Sequence, residues 1–353
     1  MFVNGLGTAN PPQRYSKNAC LEAFKHSAWY LKLDRRSHMI AETVLTRDNG
    51  IENRSLAVES LDDVFQIDPD ILHARFLAHA PALGTAAGKA ALEKAGLGAS
   101  AIDALVISTC TGYVCPGLTS YVMERLGLRA DILAFDLVGQ GCAAALPNWR
   151  LADALLASGQ CEHVLSICVE VSSAAMYLDD DPGVLISACL FGDGAGALVL
   201  SRQAPASGRR IEWLDSASLL VPGERDALKF EQRAGMLRNI LTRVVPTLAA
   251  DYAHRVLDTV LGRAGLDTGD ISAWIMHAGG RDVLLALARE FNLSSAQDFR
   301  YSAAMLREYG NLSSAFVYFV LDAALADDAP GGWWWLSSFG AGFSCHGALL
   351  KVQ

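Results

Sequence analysis

The sequence predicts an α/β protein made of two copies of one unit, and three observations carry that expectation. From about residue 79 onward, apolar runs of strand length alternate with longer runs of helical character, the pattern of a sheet covered by helices. The second half repeats the first. Leu92, Ala95, Gly96, Leu97, Ile102 and Ala104 recur as Leu261, Ala264, Gly265, Leu266, Ile271 and Ala273, and Gly141, Asp153 and Ala157 recur as Gly310, Asp322 and Ala326, all at an offset of 169 residues. The offset drifts later, yet Gly196-Ala197-Leu198 still resembles Gly347-Ala348-Leu349 at the chain's end. An offset that holds over roughly 65 positions marks an internal duplication, here an N-terminal half over 1–205 and a C-terminal half over 206–353. Finally, 353 residues of which 52% are apolar supply core enough for two such units.

Taken in order, the first 80 residues or so read as a cap of short helices and polar turns, with Arg35-Arg36 and the stretch 49–54 as its most polar features. Residues 86–95 then read as a helix closed by Gly96, and 104–108 as a buried strand. A turn at Cys115-Pro116-Gly117 leads to a helix over 118–126 and a strand over 132–138. The glycines of Gly139-Gln140-Gly141 make a turn into a helix over 144–158, and 164–169 and 195–200 are further strands. In the second copy, 273–276 is the strand that corresponds to 104–108.

Charge and cysteine usage exclude several classes. A net charge of −9 argues against nucleic acid as a partner. Residues 1–12 lack a basic region followed by an apolar run, and the longer apolar stretches are interrupted well short of a membrane span, so a cytoplasmic protein without membrane insertion is expected. Eight cysteines without CxxC pairs fit reduced thiols, with no zinc or other metal site.

The chemistry gathers on the duplicated turns. Cys142 follows Gly141 where a strand feeds a helix, and its mate at the repeat offset, Asn311, follows Gly310. A helix N-terminus favours a thiolate. His277 ends the strand 273–276 and opens the glycine turn Ala278-Gly279-Gly280, the counterpart of residues 108–111, so it falls on the same sheet edge. A thiol, an imidazole and a side-chain amide brought together suit acyl transfer. His277 can take the thiol proton, while His277 and Asn311 can donate hydrogen bonds to a thioester oxygen as it gains negative charge.

Gly141-Cys142-Ala-Ala, His277-Ala-Gly-Gly, the run from Leu306 through Tyr309-Gly310-Asn311 to Ser313-Ser314, and Cys189-Leu-Phe191-Gly-Asp-Gly resemble the type III polyketide synthases. These are the chalcone and stilbene synthase-like branch of the thiolase superfamily. The resemblance implies a thiolase-like five-layered αβαβα fold, a homodimer, and a Cys142, His277, Asn311 triad. It also implies acyl-CoA and malonyl-CoA as substrates and no further cofactor. Decarboxylative condensations on Cys142 would be followed by cyclisation to a pyrone, resorcinol or phloroglucinol-type ring. In the same light Phe191 resembles the gatekeeper between substrate tunnel and cavity, the other reading being core packing. Phe339 matches the loop that shapes the cyclisation pocket, while Thr111, Ala175 and Ser313 fall on the variable cavity lining, a small Ala175 leaving room for a longer chain. Cys115 aligns with the position that reaches into the partner's cavity. Arg54, Gly279, Gly280 and Arg281 are candidates for the CoA tunnel, with solvated surface charge as the other reading of the two arginines.

Two features depart from that pattern: Ala278 and Ala341 stand where the family usually has proline. The stretch from Phe339 to Phe343 also resembles the acyl-carrier-protein-dependent ketosynthases that initiate fatty acid synthesis, which perform a single condensation. A catalytically inactive scaffold that keeps the fold is the third reading.

Overall fold

The computed structural model describes every residue from Met1 to Gln353. Strands β1 (Phe2–Ala9), β2 (Arg14–Ser16) and β3 (Asn53–Ser55), with helices α1 (Lys17–His26) and α2 (Arg35–Thr46), precede a long helix α3 (Pro69–Ala95). The first copy continues through β4 (Ala104–Ser108), α4 (Leu118–Leu126), β5 (Leu133–Leu137), α5 (Ala145–Ala157), β6 (His163–Glu170), α6 (Pro182–Leu190) and β7 (Gly194–Ser201). The second comprises β8 (Ile211–Leu220), β9 (Leu228–Arg233), β10 (Met236–Leu241), α7 (Val245–Ala264), β11 (Ile271–Met276), α8 (Arg281–Glu290), α9 (Arg300–Tyr309), α10 (Phe316–Ala326), β12 (Gly332–Gly340) and β13 (Ser344–Val352).

Nine strands are hydrogen-bonded in the order β11-β12-β13-β8-β1-β7-β6-β4-β5. The seam between β1 and β8 consists of two residue pairs, Phe2 with Glu212 and Val3 with Ile211, so the strands form two half-sheets. In the first, β4 runs parallel to β6, which is antiparallel to β7, and β7 is antiparallel to β1. The second repeats this with β11, β12, β13 and β8. Helices α5 and α10 each touch strands of both half-sheets and form the middle layer. Helix α3 covers the far face of one half-sheet and α7 that of the other, which completes five layers. The fold is thiolase-like, as the resemblance implied.

The duplication is visible in backbone detail. Gly96 and Gly265 close α3 and α7 in the left-handed region, at φ 65° and 68°. On the molecule's internal twofold relation, Trp149 of α5 donates its indole N–H to the hydroxyl of Tyr318 of α10 at 2.9 Å. These two residues are themselves 169 apart, so repeat mates meet at the centre. The symmetry fails at β5, whose counterpart by offset falls inside α9. There Tyr301, Ser302 and Leu306 are buried at helical spacing, and a helix replaces the fifth strand.

Helix α3 begins at Pro69, well before the predicted 86. Asp68 caps it by accepting from the amides of Asp70 and Ile71, and Pro69 fits the first helical position. Pro81, Gly84 and Gly88 in its interior are breaking signals locally, but all three are buried in the packing. Helix and sheet approach so closely that a Cβ on Gly5 would lie 2.0 Å from the Ala91 carbonyl oxygen, and one on Gly7 2.2 Å from that of Ala87.

Candidate functional site

Cys142, His277 and Asn311 line one cavity of about 600 Å³, together with Phe191, Phe339, Gly279, Gly280 and Arg281. Each arrives by a different element. A tight turn of 3₁₀ helix, residues 141–143, carries Cys142 into α5, with Gly141 at φ 55°. His277 follows β11 directly and its amide donates to the Ser337 carbonyl of β12, which extends the strand pairing by one residue. Asn311 follows Gly310, whose φ is 71° and whose missing side chain makes room for the Leu190 carbonyl, 2.8 Å from a Cβ placed there.

Asn311 is held firmly. Its amide donates to the Leu190 carbonyl at 2.9 Å and its own carbonyl accepts from Gly192 at 3.0 Å. Its side-chain Nδ2 donates to the Gly279 carbonyl at 3.2 Å, and Oδ1 accepts from the Ser313 amide at 2.8 Å. These bonds tie together the Phe191 turn, the Gly279 turn and the helix entry. One N–H of the amide remains for a substrate.

His277 sits between the rings of Phe339 and Phe316, with centroids at 4.9 and 5.5 Å. Neither ring nitrogen has a hydrogen-bond partner in the protein. Burial brings its pKa down to about 3, so the ring is neutral. No hydrogen bond joins it to Cys142. Burial likewise pushes the Cys142 thiol up to about 12, against a hydrogen bond from Ser313 that favours the thiolate. The helix-terminus effect expected from the sequence is opposed by loss of water.

A second, smaller pocket adjoins the first. Phe191 lines both, so it stands between them, and Thr111, Ala175 and Ser313 line the inner one. The inner space holds about 30 Å³. The roomy cavity expected beside Ala175 is therefore not found, because Leu56, Met176, Tyr177 and Phe230 fill the space. Two polar atoms of its lining, Ser172 Oγ and Asn239 Oδ1, lack partners.

Two further expectations change, those for Arg54 and Phe339. Arg54 lies away from the tunnel mouth: it is buried and its Nη1 donates to the carbonyls of Ala188 and Phe191 at 2.9 and 3.0 Å. A cation at the C-terminal end of α6 satisfies carbonyls that the helix leaves open. Phe339 stands in β12 against His277 and lines the outer cavity, not a cyclisation loop. Cys115 is exposed and belongs to neither cavity of its own chain. Arg281 does reach the outer cavity, paired to Asp48 at 2.7 Å, and two arginines that the sequence did not single out, Arg47 and Arg243, join it there.

Glu170 was missed as well. It ends β6, is fully buried, and collects hydrogen bonds from Thr109, Cys110, Thr111, Ser313 and Ser314. The available signal was a lone carboxylate closing an otherwise apolar strand.

A sequence model of FAE1/type III polyketide synthase-like proteins matches residues 9–213, and one of the chalcone and stilbene synthase C-terminal domain matches 214–352. The 1,3,6,8-tetrahydroxynaphthalene synthase of Streptomyces peucetius subsp. caesius is 32% identical, over 99% of this chain and 92% of its own length. The 3,5-dihydroxyphenylacetyl-CoA synthase of Streptomyces toyocaensis is 28% identical, over 99% and 89%. The crystal structure of PKS-I from the brown alga Ectocarpus siliculosus superposes with a TM-score of 0.90 at 26% identity, covering 99% of this chain and 97% of that one. With both halves matched and relatives aligned end to end, the chain belongs to the type III polyketide synthases, the condensing acyltransferases of the chalcone and stilbene synthase family.

Proposed function

We propose that Cys142 carries the growing chain and that His277 and Asn311 act on the thioester oxygens. The Cys142 sulfur attacks the starter thioester and CoA leaves as its thiol. Malonyl-CoA then loses CO₂, and the resulting enolate attacks the acyl group on Cys142. This returns the thiolate and leaves a β-ketoacyl-CoA two carbons longer. A neutral His277 with free ring nitrogens can donate to the enolate oxygen beside the Asn311 amide. The observation that carries this reading is the meeting of Cys142, His277 and Asn311, each from its own element, on one cavity.

The inner pocket supports a short, oxygen-rich chain. The unpaired polar atoms on Ser172 and Asn239 suit keto and enol oxygens better than an alkyl tail. The relatives' product names describe aromatic rings with alternating hydroxyl groups. We read this chain's product as a ring of that kind, resorcinol or phloroglucinol type, and Phe191 as the gate to the pocket that folds it. Arg47, Arg243 and Arg281 at the outer cavity suit the phosphates of CoA, with Gly279 and Gly280 beside the pantetheine arm. The two halves we divide near residue 205.

We further read the protein as a cytoplasmic homodimer. Edge strand β5 and its surroundings expose Leu133, Val138 and Tyr113, and the Cys115 turn lies beside β5, since a Cβ on Gly117 would meet Asp136 at 2.2 Å. A partner seated there would bring Cys115 toward the partner's own cavity.

Incubation with malonyl-CoA and a panel of acyl-CoA starters, with product mass spectrometry, tests the reading. Short starters should give cyclised products of several extensions, and long-chain starters little. A single linear ketoester, or turnover only with carrier-protein substrates, would overturn it.

A further inference from the structure

The outer face of α2 is basic on a protein whose net charge is −9. Arg35, Arg36, Thr46 and Arg47 stand exposed there at helical spacing around Met39, itself 57% exposed. Just before the helix, Lys32 lies over the Trp29 ring at 4.5 Å, and its neighbour Leu31 is 86% exposed. None of these four cations is ion-paired, because the nearby acids are engaged elsewhere. Glu42 accepts from the Tyr30 hydroxyl at 2.8 Å, Asp34 from the Ser37 amide and Asp180 from the Ser37 hydroxyl, both at 2.7 Å, and Asp48 pairs with Arg281. On the opposite face Ser37, Ala41 and Leu45 are buried, which fixes the helix to the body of the protein.

This basic face runs toward the catalytic cavity. Thr43, Val44 and Arg47, at the C-terminal end of α2, line the outer cavity, whereas residues 35–39 do not. Arg36 precedes Arg47 by 11 residues, about 16 Å along the helix axis. The phosphates of CoA at the cavity mouth would use Arg47 and leave the far end of the helix without a role.

We infer that the outer face of α2 docks an acidic acyl carrier protein, whose phosphopantetheine arm brings a starter thioester through the outer cavity to Cys142. The inference rests on Cys142 as the acyl acceptor. Complementary charge steers encounter and orients the partner, while Met39 and Leu31 offer apolar contact amid the cations. Two exposed apolar side chains are too few to seat the helix in a membrane. The arm shares its phosphate and pantetheine with CoA, so one entrance serves both donors. In the transfer the Cys142 sulfur bonds to the acyl carbon, the bond to the arm's sulfur breaks, and the Cys142 proton goes to that sulfur, which leaves the carrier as its free thiol.

The test compares two donors on the full chain: butyryl-CoA, and the butyryl-loaded acyl carrier protein of fatty acid synthesis. The readout is the initial rate at which the butyryl mass reaches the Cys142 peptide. In the double variant Arg35→Glu, Arg36→Glu, carrier transfer should slow at least about tenfold, while transfer from butyryl-CoA stays within about twofold, since neither residue lines the cavity. Glutamate in the first turn suits a helix N-terminus, and the retained CoA rate reports an intact fold. Raising the ionic strength from about 0.05 to about 0.5 M should slow carrier transfer to the parent and leave the variant nearly unaffected. Unchanged carrier transfer in the variant, or equal slowing with both donors, would overturn the docking face. A parent that takes butyryl from CoA and not from the carrier would do the same. Binding to phosphatidylglycerol vesicles that the variant loses, with carrier transfer intact, would assign the face to a membrane instead. Failure of both donors on the parent would overturn Cys142 as acceptor along with it.

Discussion

At the scale of single residues, His277 is defined by what surrounds it. Two phenylalanine rings exclude water, the pKa falls to about 3, and neither nitrogen is used by the protein. The sign follows directly: the ring protonates only below that lowered value, so between pH 5.5 and 8 it is a constant neutral donor. Malonyl-CoA decarboxylation by Cys142→Ala should therefore show no acidic limb near pH 6.5, whereas His277→Ala should lower its rate about 10²–10³-fold, as loss of one oxyanion donor does. A limb at the ordinary histidine pKa, or unchanged decarboxylation without the imidazole, would remove His277 from this role. Cys142 and Asn311 were legible in the sequence because each directly follows a glycine on a repeated element, and His277 because it ends a repeated strand at the turn that carries Gly279 and Gly280. Arg54 and Glu170 were not. Arg54 looks like any loop arginine until α6 is seen to present its carbonyls to it, and Glu170 is one acid among many until partners from two segments, 109–111 and 313–314, close around it.

At the scale of elements, strand and helix positions followed from apolar periodicity, and β4, α4, β6 and β7 lie within a residue of the expected bounds. Helix α3 did not, because Pro81, Gly84 and Gly88 signal a break that tertiary packing overrides. That packing is tight against backbone. Gly7→Ala would set a Cβ 2.2 Å from the Ala87 carbonyl oxygen, where no side chain can move aside. We expect it to cost about 3 kcal/mol, read as a lowered urea midpoint at unchanged slope. A shift worth less than about 0.5 kcal/mol, the size of an ordinary surface substitution, would show that β1 and α3 can separate. Size of the inner pocket was equally beyond periodicity. Ala175 is small, but its neighbours Leu56, Met176, Tyr177 and Phe230 decide the volume.

At the scale of the whole molecule, two half-sheets share a middle layer of α5 and α10, and the repeat brings Cys142 and Asn311 to one place. What the repeat lacks is a second copy of β5, which leaves that strand as a free apolar edge in the first half. Sedimentation should show a dimer, and Val138→Asp should shift it toward monomer; a parent monomer would contradict the homodimer. The central claim, however, is that Cys142 holds the chain. Peptide mass spectrometry after brief incubation with a short acyl-CoA tests it most directly. The account predicts the acyl mass on the peptide bearing Cys142, its loss when malonyl-CoA is added to the parent protein, and its persistence in His277→Ala. An unmodified Cys142 peptide, or an acyl group carried by Cys110 in its place, would contradict it.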